Sequence, residues 1–407
     1  MSARTAHSPG RTGGQAAHPV LEVLTVALRL GLTSFGGPIA HLGYFRREYV
    51  ERRAWLDEAT FADLVALCQS LPGPASSQLG MAIGSRRAGV AGGLAAWVGF
   101  TAPSAAIMLA FGLLASRTDL SGAGWVHGLK LAAVAVVAQA VWSMARVLTP
   151  DAPRRVMATV AAVAALLLAT PLAQVGIIVA GAVTGRLLLA PPTGAPPVAE
   201  RTLLSRRRGV AALVAFAALL LILPLVDRSH SGPLALVDAF YRTGALVFGG
   251  GHVVLPLLQA NVVDPGWVSD DTFLAGYGAA QALPGPLFSF SAFLGSVATV
   301  PPSGIAGGLL ALLAIYVPSF LLVFGALPFW EYLRVRPGVR RALAGTNAVV
   351  VGLLAAALYT PVATSAISNP LDLALAGLGF AALMSRRVPV LIVVTGLAVA
   401  GQLVAAS

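Results

Sequence analysis

The sequence predicts an all-α polytopic membrane protein made of two inverted-topology repeats with broken, re-entrant helical hairpins. Three observations predict it. Of the 407 residues, 57% are hydrophobic and 11% charged, with a mean hydropathy of +0.82, whereas a soluble domain carries roughly 25% charged residues. Apolar runs long enough to cross a bilayer recur from Val20 to the last residues. Second, Pro72-Gly73-Pro74 interrupts one such run, and Pro284-Gly285-Pro286 interrupts another 212 positions later (284 − 72). No helix passes two prolines unbroken, because each removes a backbone donor and clashes with the preceding turn. Third, the loops flanking these two breaks differ in charge: the first set is rich in arginine and the second has none.

Taken in order, residues 1–19 read as a disordered cytoplasmic leader, without the apolar core of a signal peptide. Val20–Ser34 is an apolar helix carrying Arg29 and ended by Phe35-Gly36-Gly37-Pro38. A short segment and a basic loop with Arg46, Arg47, Arg52 and Arg53 follow. Phe61–Gly84 holds the first Pro-Gly-Pro and ends at Arg86 and Arg87. Four spans come next, Gly89–Ala115, Trp125–Leu148, Val156–Thr170 and Leu172–Ala190, completing a first membrane repeat over 20–190. Residues 191–208 form a Pro-rich cytoplasmic linker ending in Arg206-Arg207-Arg208. One extra span within 209–230 leads to a second membrane repeat over 231–407.

The repeat rests on ordered matches. Arg242 and Gly244 before Phe248-Gly249-Gly250 echo Arg29 and Gly31 before Phe35-Gly36-Gly37. Trp267 echoes Trp55, Gln281 echoes Gln69, Gly304–Gly308 echoes Gly89–Gly93, and Pro318-Ser319 echoes Pro103-Ser104. Because arginine marks cytoplasmic loops, a segment flanked by arginine at both ends is simplest as a hairpin that enters and leaves on the cytoplasmic side. The equivalent second-half stretch between Asn261 and Ser303 has only Asp264, Asp270 and Asp271. The odd extra span then inverts the second repeat, with the N-terminus cytoplasmic and the C-terminus periplasmic.

Inverted repeats with broken helices near the midplane are a recurring plan of secondary transporters. Where a helix restarts, its first N–H groups lack partners and carry partial positive charge, so facing restarts suit an anion. Pro74 and Pro286 fit the first position of restarted helices. The candidate substrate-binding residues are therefore Gly36, Gly37, Gln69, Pro72, Gly73, Pro74, Ser76 and Ser77 in the first repeat. In the second they are Gly249, Gly250, Gln281, Pro284, Gly285, Pro286 and Ser289, with Ser291 and Gln78 as further donors. Arg29 and Arg242, at equivalent positions, are candidate counter-charges for an oxyanion, with snorkelling to the interface as the competing reading. Lys130 reads as a snorkelling residue, Cys68 as core, Asn347 and Gln139 as interhelical polar contacts, and His41 and His252 as packing residues or proton carriers. No metal-ligand spacing, nucleotide-binding loop or catalytic constellation occurs, so no enzyme, cofactor or metal is expected. The net charge of +11 reflects topology rather than nucleic-acid binding.

Ser34-Phe35-Gly36-Gly37-Pro38, Trp55 with Asp57-Glu58, Gln69–Pro74, Gly89–Gly93 and Pro103-Ser104 together resemble the chromate ion transporter family. Phe248–Gly250, Gln281–Pro286 and Pro318-Ser319 resemble that family's second repeat, and the whole is similar to its long, two-domain form. One departure is Gly251 where the first repeat has Pro38. The resemblance implies a multi-pass carrier of the bacterial inner membrane that exports chromate, driven by membrane potential or proton motive force, and confers chromate resistance. Its expected partners are chromate or a related oxyanion, protons, the lipid bilayer and, in a homodimer, a second copy. A carrier of sulfate or another oxyanion and a non-transporting scaffold or receptor are the alternatives.

Overall fold

Prolines and glycines punctuate the apolar runs, and the helices begin and end on them. The computed structural model describes residues 18–35, 37–116, 124–168, 171–190, 205–226, 232–247, 254–330, 336–385 and 387–406. Residues 1–17 of the leader expected over 1–19, and most of the linker, 191–204, lie outside these. α1 (Pro19–Thr33) opens on its proline and stops at Ser34, whose extended backbone breaks the ladder. α2 (Gly37–Phe45) continues directly into a π-helical turn, Arg46–Arg52. The stretch expected as a basic loop is thus helical, and its charges explain the period. A π-helix aligns side chains five apart, and Arg46 meets Glu51 at 2.6 Å while Arg53 meets Glu48 at 2.7 Å. α3 (Glu58–Ser70) is capped by Asp57, which accepts the Thr60 N–H at 2.7 Å; that bond holds the carboxyl below its ordinary range.

α4 (Ala75–Ala115) is two helices joined by a sharp turn, because Ala88 (φ −143°) and Gly89 (φ 61°, ψ −157°) leave helical geometry. Segment 75–87 folds back on segment 90–115, with Gly84 and Gly92 meeting backbone to backbone. A Cβ on either would fall on the other's carbonyl oxygen. Since backbone cannot yield as a side chain can, Gly84→Leu is expected to cost about 3 kcal/mol, the upper range for overpacking. The loss of folded protein in a detergent thermal melt measures this.

The second half follows the same plan. α9 (Pro233–Leu246), α10 (Val254–Val262) and α11 (Asp270–Gln281) precede a short 3₁₀ turn, Leu287–Ser289, that runs into α12 (Phe290–Val297). α13 (Gly304–Ala326) then folds back on α12: Gly304 turns with φ 63°, and Gly295 and Gly307 meet as Gly84 and Gly92 do. The extra helix, α8 (Arg206–Val226), packs along α9 and α13, and Tyr241 donates its hydroxyl proton to the Phe216 carbonyl at 2.9 Å.

Three helices close each half: α5 (Gly124–Leu148), α6 (Ala152–Leu167) and α7 (Pro171–Leu188), then α14 (Pro337–Ala357), α15 (Pro370–Met384) and α16 (Val390–Ala406). These sets are exchanged. α5 packs on α15 and α16 of the second half, while α14 packs on α6 and α7 of the first. Glycine again permits the approach, Gly128 lying against Leu397 and Gly345 against Gly181.

Two sets of contacts position the breaks. Glu22, in the first turn of α1, pairs with Arg53 at 3.3 Å and Arg87 at 3.0 Å, and both guanidinium groups lie over the Trp55 ring. The units α1–α2 and α3–segment 75–87 therefore each leave and return to one end of the molecule. In the second half the Trp267 carbonyl accepts the Thr299 N–H at 3.0 Å, closing the ends of α11 and α12 in the same way. Segment 90–115, about 39 Å long at 1.5 Å per residue, runs antiparallel to α13. A Cβ at Gly93 would touch Phe324 at 3.2 Å, and one at Gly304 would meet Leu113 at 3.9 Å.

Among the described residues all regular structure is helical. Among the described residues, five helical stretches are long and apolar enough to cross a membrane: Ala75–Ala115, which includes the turn at Gly89, Gly124–Leu148, Arg206–Val226, Gly304–Phe329 and Pro337–Ala366. α6, with 16 residues, and α15, with 15, are shorter than a 30 Å hydrocarbon core requires. Their outward faces are nevertheless apolar, Leu167 and Leu373 being well exposed. Large apolar side chains exposed on so many helices are stable only against lipid, and the protein is a membrane protein.

Candidate functional site

The helix breaks meet crosswise. Gly73 donates its N–H to the Val247 carbonyl at 2.6 Å, and Gly285 donates its N–H to the Ser34 carbonyl at 2.9 Å. Each Pro-Gly-Pro thus hydrogen-bonds the residue just before the Phe-Gly-Gly of the other half. Both glycines have positive φ, +116° at Gly73 and +95° at Gly285, which exposes the N–H to a neighbour and which L side chains resist.

Intrahelical prolines prepare the receiving surfaces. Pro103 lacks the N–H that would bond the Gly99 carbonyl, and Gly31 of α1 sits there, where a Cβ would be 2.7 Å from both the Gly99 and Phe100 oxygens. Pro318 in α13 matches it, with Gly244 of α9 against the Ile315 carbonyl. The serine after each proline faces the opposite break: a Cβ at Gly73 would lie 2.6 Å from Ser319 Oγ, and one at Gly285 3.0 Å from Ser104 Oγ.

The first restart is polar. Pro74 stands at the cap with ψ 90° rather than inside the helix, one residue earlier than expected, because a cap needs extended ψ. Gln78 donates its side-chain amide to the Pro72 carbonyl at 2.6 Å, wrapping the turn, and its Oε1 is buried without a hydrogen-bond partner among the described residues. Ser76 Oγ lies 3.2 Å from His41 Nδ1, and Ser77 Oγ lies 3.4 Å from the Tyr316 hydroxyl. His41 is wedged between the Phe45 and Phe100 rings, its Nε2 3.2 Å from the Ser34 carbonyl. The Ser34 and Ser319 hydroxyls are also buried with no partner among the described residues.

A cavity of about 150 Å³ opens beside this restart, lined by Gln69, Gly73, Ser76, Ser143 and Asn347 among apolar side chains that include Cys68 and Val147. That is room for on the order of ten water positions. It lies at the C-terminal turn of α5, the end carrying Arg146. A second cavity of about 340 Å³ is lined by Gln174, Gln259, Asp264 and Thr360 between α6, α7, α10 and α14. Burial, and then the charge of Asp270, pushes the Asp264 carboxyl above its ordinary range.

The second restart differs. Pro286 caps a 3₁₀ turn instead of an α-helix, Ser289 and Ser291 are buried, and so are Phe288, which lies against Tyr316, and Phe290, which stacks on Phe293. Pro284 and Gln281 are half-buried. Arg29 is exposed on α1, whereas Arg242 pairs at 2.6 Å with the buried Asp238, one turn earlier. Gly36, Gly249, Gly250 and His252 lie outside the described residues, while Gly37 starts α2 with φ 76°. Lys130 reaches Asp271 at 2.8 Å. Sequence reasoning passed over Ser34, Tyr316, Ser143 and the hydroxyls of Ser104 and Ser319. The recurrence of Pro103-Ser104 as Pro318-Ser319 was the signal for the last two.

Comparison with known proteins places this arrangement. The sequence profile described as "Chromate transporter" matches residues 21–186 and 234–402. The chain is similar to a "Chromate transport protein" of Pseudomonas aeruginosa, at 28% identity over 93% of this chain and 90% of that protein. It is similar as well to a "Probable chromate transport protein" of Synechococcus elongatus, at 28% identity over 84% of each. A "Chromate transport protein" of Cupriavidus metallidurans is 26% identical over 84% of this chain and 82% of its own length. No solved structure matches the chain. With matched segments in both halves that cover most of its length, the chain belongs to the chromate transporter family.

Proposed function

We propose that the protein is an electrogenic oxyanion exporter of the bacterial inner membrane, with chromate as its substrate, working through two inverted repeats. The crosswise hydrogen bonds of Gly73 and Gly285 carry the reading, because they bring the breaks of both halves to one place. The antiparallel pairing of segment 90–115 with α13 and the opposite charge of the two hairpin mouths support inversion. On the positive-inside rule, the end bearing Arg53 and Arg87 is cytoplasmic, as is the N-terminus, and the C-terminus is periplasmic.

The binding region is the cavity beside the first restart. Backbone N–H groups at the start of segment 75–87, the Ser76 hydroxyl and the Gln69 and Asn347 amides are its donors. The second restart, with its buried phenylalanines, serves as the wall against which Gly285 holds α1. Arg29 and Arg242 are left out of the binding set, the first because it is exposed and the second because Asp238 engages it.

Direction follows from charge. A dianion leaving a negative cytoplasm gains about 4.6 kcal/mol per 100 mV, twice the single-charge value. Inside-out vesicles with a lumen-positive potential should take up labelled chromate, and collapsing the potential should return uptake to the vector control. Uptake unaffected by the collapse would falsify electrogenic export. Uptake of sulfate in preference to chromate would reassign the substrate.

A further inference from the structure

We infer that His41 is a positioning residue that decides whether Ser76 can donate a hydrogen bond into the cavity beside Gly73, which makes oxyanion binding respond to protons. This rests on the oxyanion reading above. His41 is buried, 1% exposed, at the junction of α1, α2 and both segments of α4. Its Nε2 lies 3.2 Å from the Ser34 carbonyl oxygen. A carbonyl only accepts, so Nε2 carries the hydrogen. In the neutral ring Nδ1 is then a lone pair, and the Ser76 hydroxyl, 3.2 Å away, commits its single proton to it. Ser76 borders the cavity together with Gly73 and Gln69, but in this state it has no proton to offer there.

Protonation reverses that bond. Nδ1–H now donates to Ser76 Oγ, whose own proton is released to turn towards the cavity. An anion beside Gly73 gains a hydroxyl donor and a positive charge one hydroxyl away. By linkage, a bound anion must raise the proton affinity of His41 by the same factor that protonation raises anion affinity. The Ser34 carbonyl also accepts from Gly285, so the ring shares its anchor with the crosswise contact between the halves.

The titratable groups on the surrounding elements are mostly committed or distant. On α1, Glu22 pairs with Arg53 and Arg87 at the arginine-bearing end, and Arg29 is exposed. On the helix of His41 and its π continuation, Tyr44 precedes Arg46 and Arg47, Glu48 pairs with Arg52 and Arg53, and Tyr49 stacks on Trp55. From α3, Cys68 borders the cavity, Asp57 and Glu58 lie at its far start, and the side chain of Asp63 lies outside the described residues. α4 carries Arg86 and Arg87 at its turn, and α13 brings Tyr316 to Ser77.

Equilibrium binding of radiolabelled chromate to the purified full-length protein between about pH 5.5 and pH 8 tests the inference. The protonation of chromate itself is common to all variants and cancels in the ratio of affinities. The wild-type to His41→Gln ratio should rise about tenfold from the alkaline to the acid limit, the scale of one hydrogen bond to a charged group. Ser76→Ala, which keeps the imidazole and its charge, should lose most of the acid gain, and the double variant should lose no more than His41→Gln alone. A ratio that stays constant with pH, or a Ser76→Ala protein that keeps the full gain, overturns the inference. Wild-type protein that binds no chromate at any pH overturns the oxyanion reading and this inference with it. Binding with a flat ratio overturns this inference alone. If His41→Gln does not fold, Ser76→Ala and a histidine NMR titration with and without chromate decide, since a structural ring would not shift on chromate addition.

Discussion

Gly73→Ala and Gly285→Ala should each abolish transport while the protein still reaches the membrane. At Gly73 the φ of +116° strains any L residue, and the new Cβ would lie 2.5 Å from Gln78 Nε2 and 2.6 Å from Ser319 Oγ. At Gly285 the φ is +95° and the Cβ would sit 3.0 Å from Ser104 Oγ and 3.2 Å from the Phe100 oxygen. Backbone strain of this kind costs of order 1–3 kcal/mol. It falls on the N–H that bonds the other half, so the loss concentrates where the breaks meet. Gly176→Ala and Gly396→Ala, with open space around an ordinary backbone, are matched controls that should transport normally. Chromate uptake per unit of membrane-inserted protein separates the two pairs. Full activity of the Gly73 variant would remove the crosswise contact from the mechanism.

The equivalent arginines should respond unequally. Arg242→Ala strips the 2.6 Å ion pair from Asp238, whose side chain is 3% exposed. Removing one partner of this half-buried pair costs on the order of 1–3 kcal/mol, so the thermal melt in detergent should fall below wild type. Replacing both, as Asp238→Asn with Arg242→Ala, should recover much of the loss, because no charge is then left in the apolar interior. Arg29→Ala removes an exposed side chain and should leave the melt within the range of ordinary surface changes, about 0.5 kcal/mol. Arg242→Ala as stable as Arg29→Ala would mean that the pair contributes nothing.

The breaks were legible in the sequence because their cause is local. A proline lacks an N–H wherever it stands, and a glycine tolerates positive φ without help from neighbours. The breaks at Pro72-Gly73-Pro74 and Pro284-Gly285-Pro286 follow from that alone. The repeat was legible for a related reason: the same local chemistry recurs in the same order. The π turn at Arg46–Arg52 was not, since it depends on which glutamates the arginines reach. The two restarts share Pro-Gly-Pro, yet one opens an α-helix beside a cavity and the other opens a 3₁₀ turn that leads into the buried Phe288, Phe290 and Phe293. That difference lies in the residues that follow the motif, which the motif does not encode.

By itself the sequence determined that this is a helical membrane protein, that its helices break at matching places in two halves, and which family it resembles. Only the tertiary structure decided how the halves join. α5 and α14 are exchanged between them, Gly73 bonds Val247, Gly285 bonds Ser34, and His41 is aimed at Ser76. Gly73 and Val247 stand 174 positions apart (247 − 73). A backbone donor carries no mark of which distant carbonyl it will meet. That choice belongs to close packing, where missing Cβ atoms at Gly31, Gly84, Gly128 and their counterparts let backbones approach until only one set of partners is within hydrogen-bonding reach.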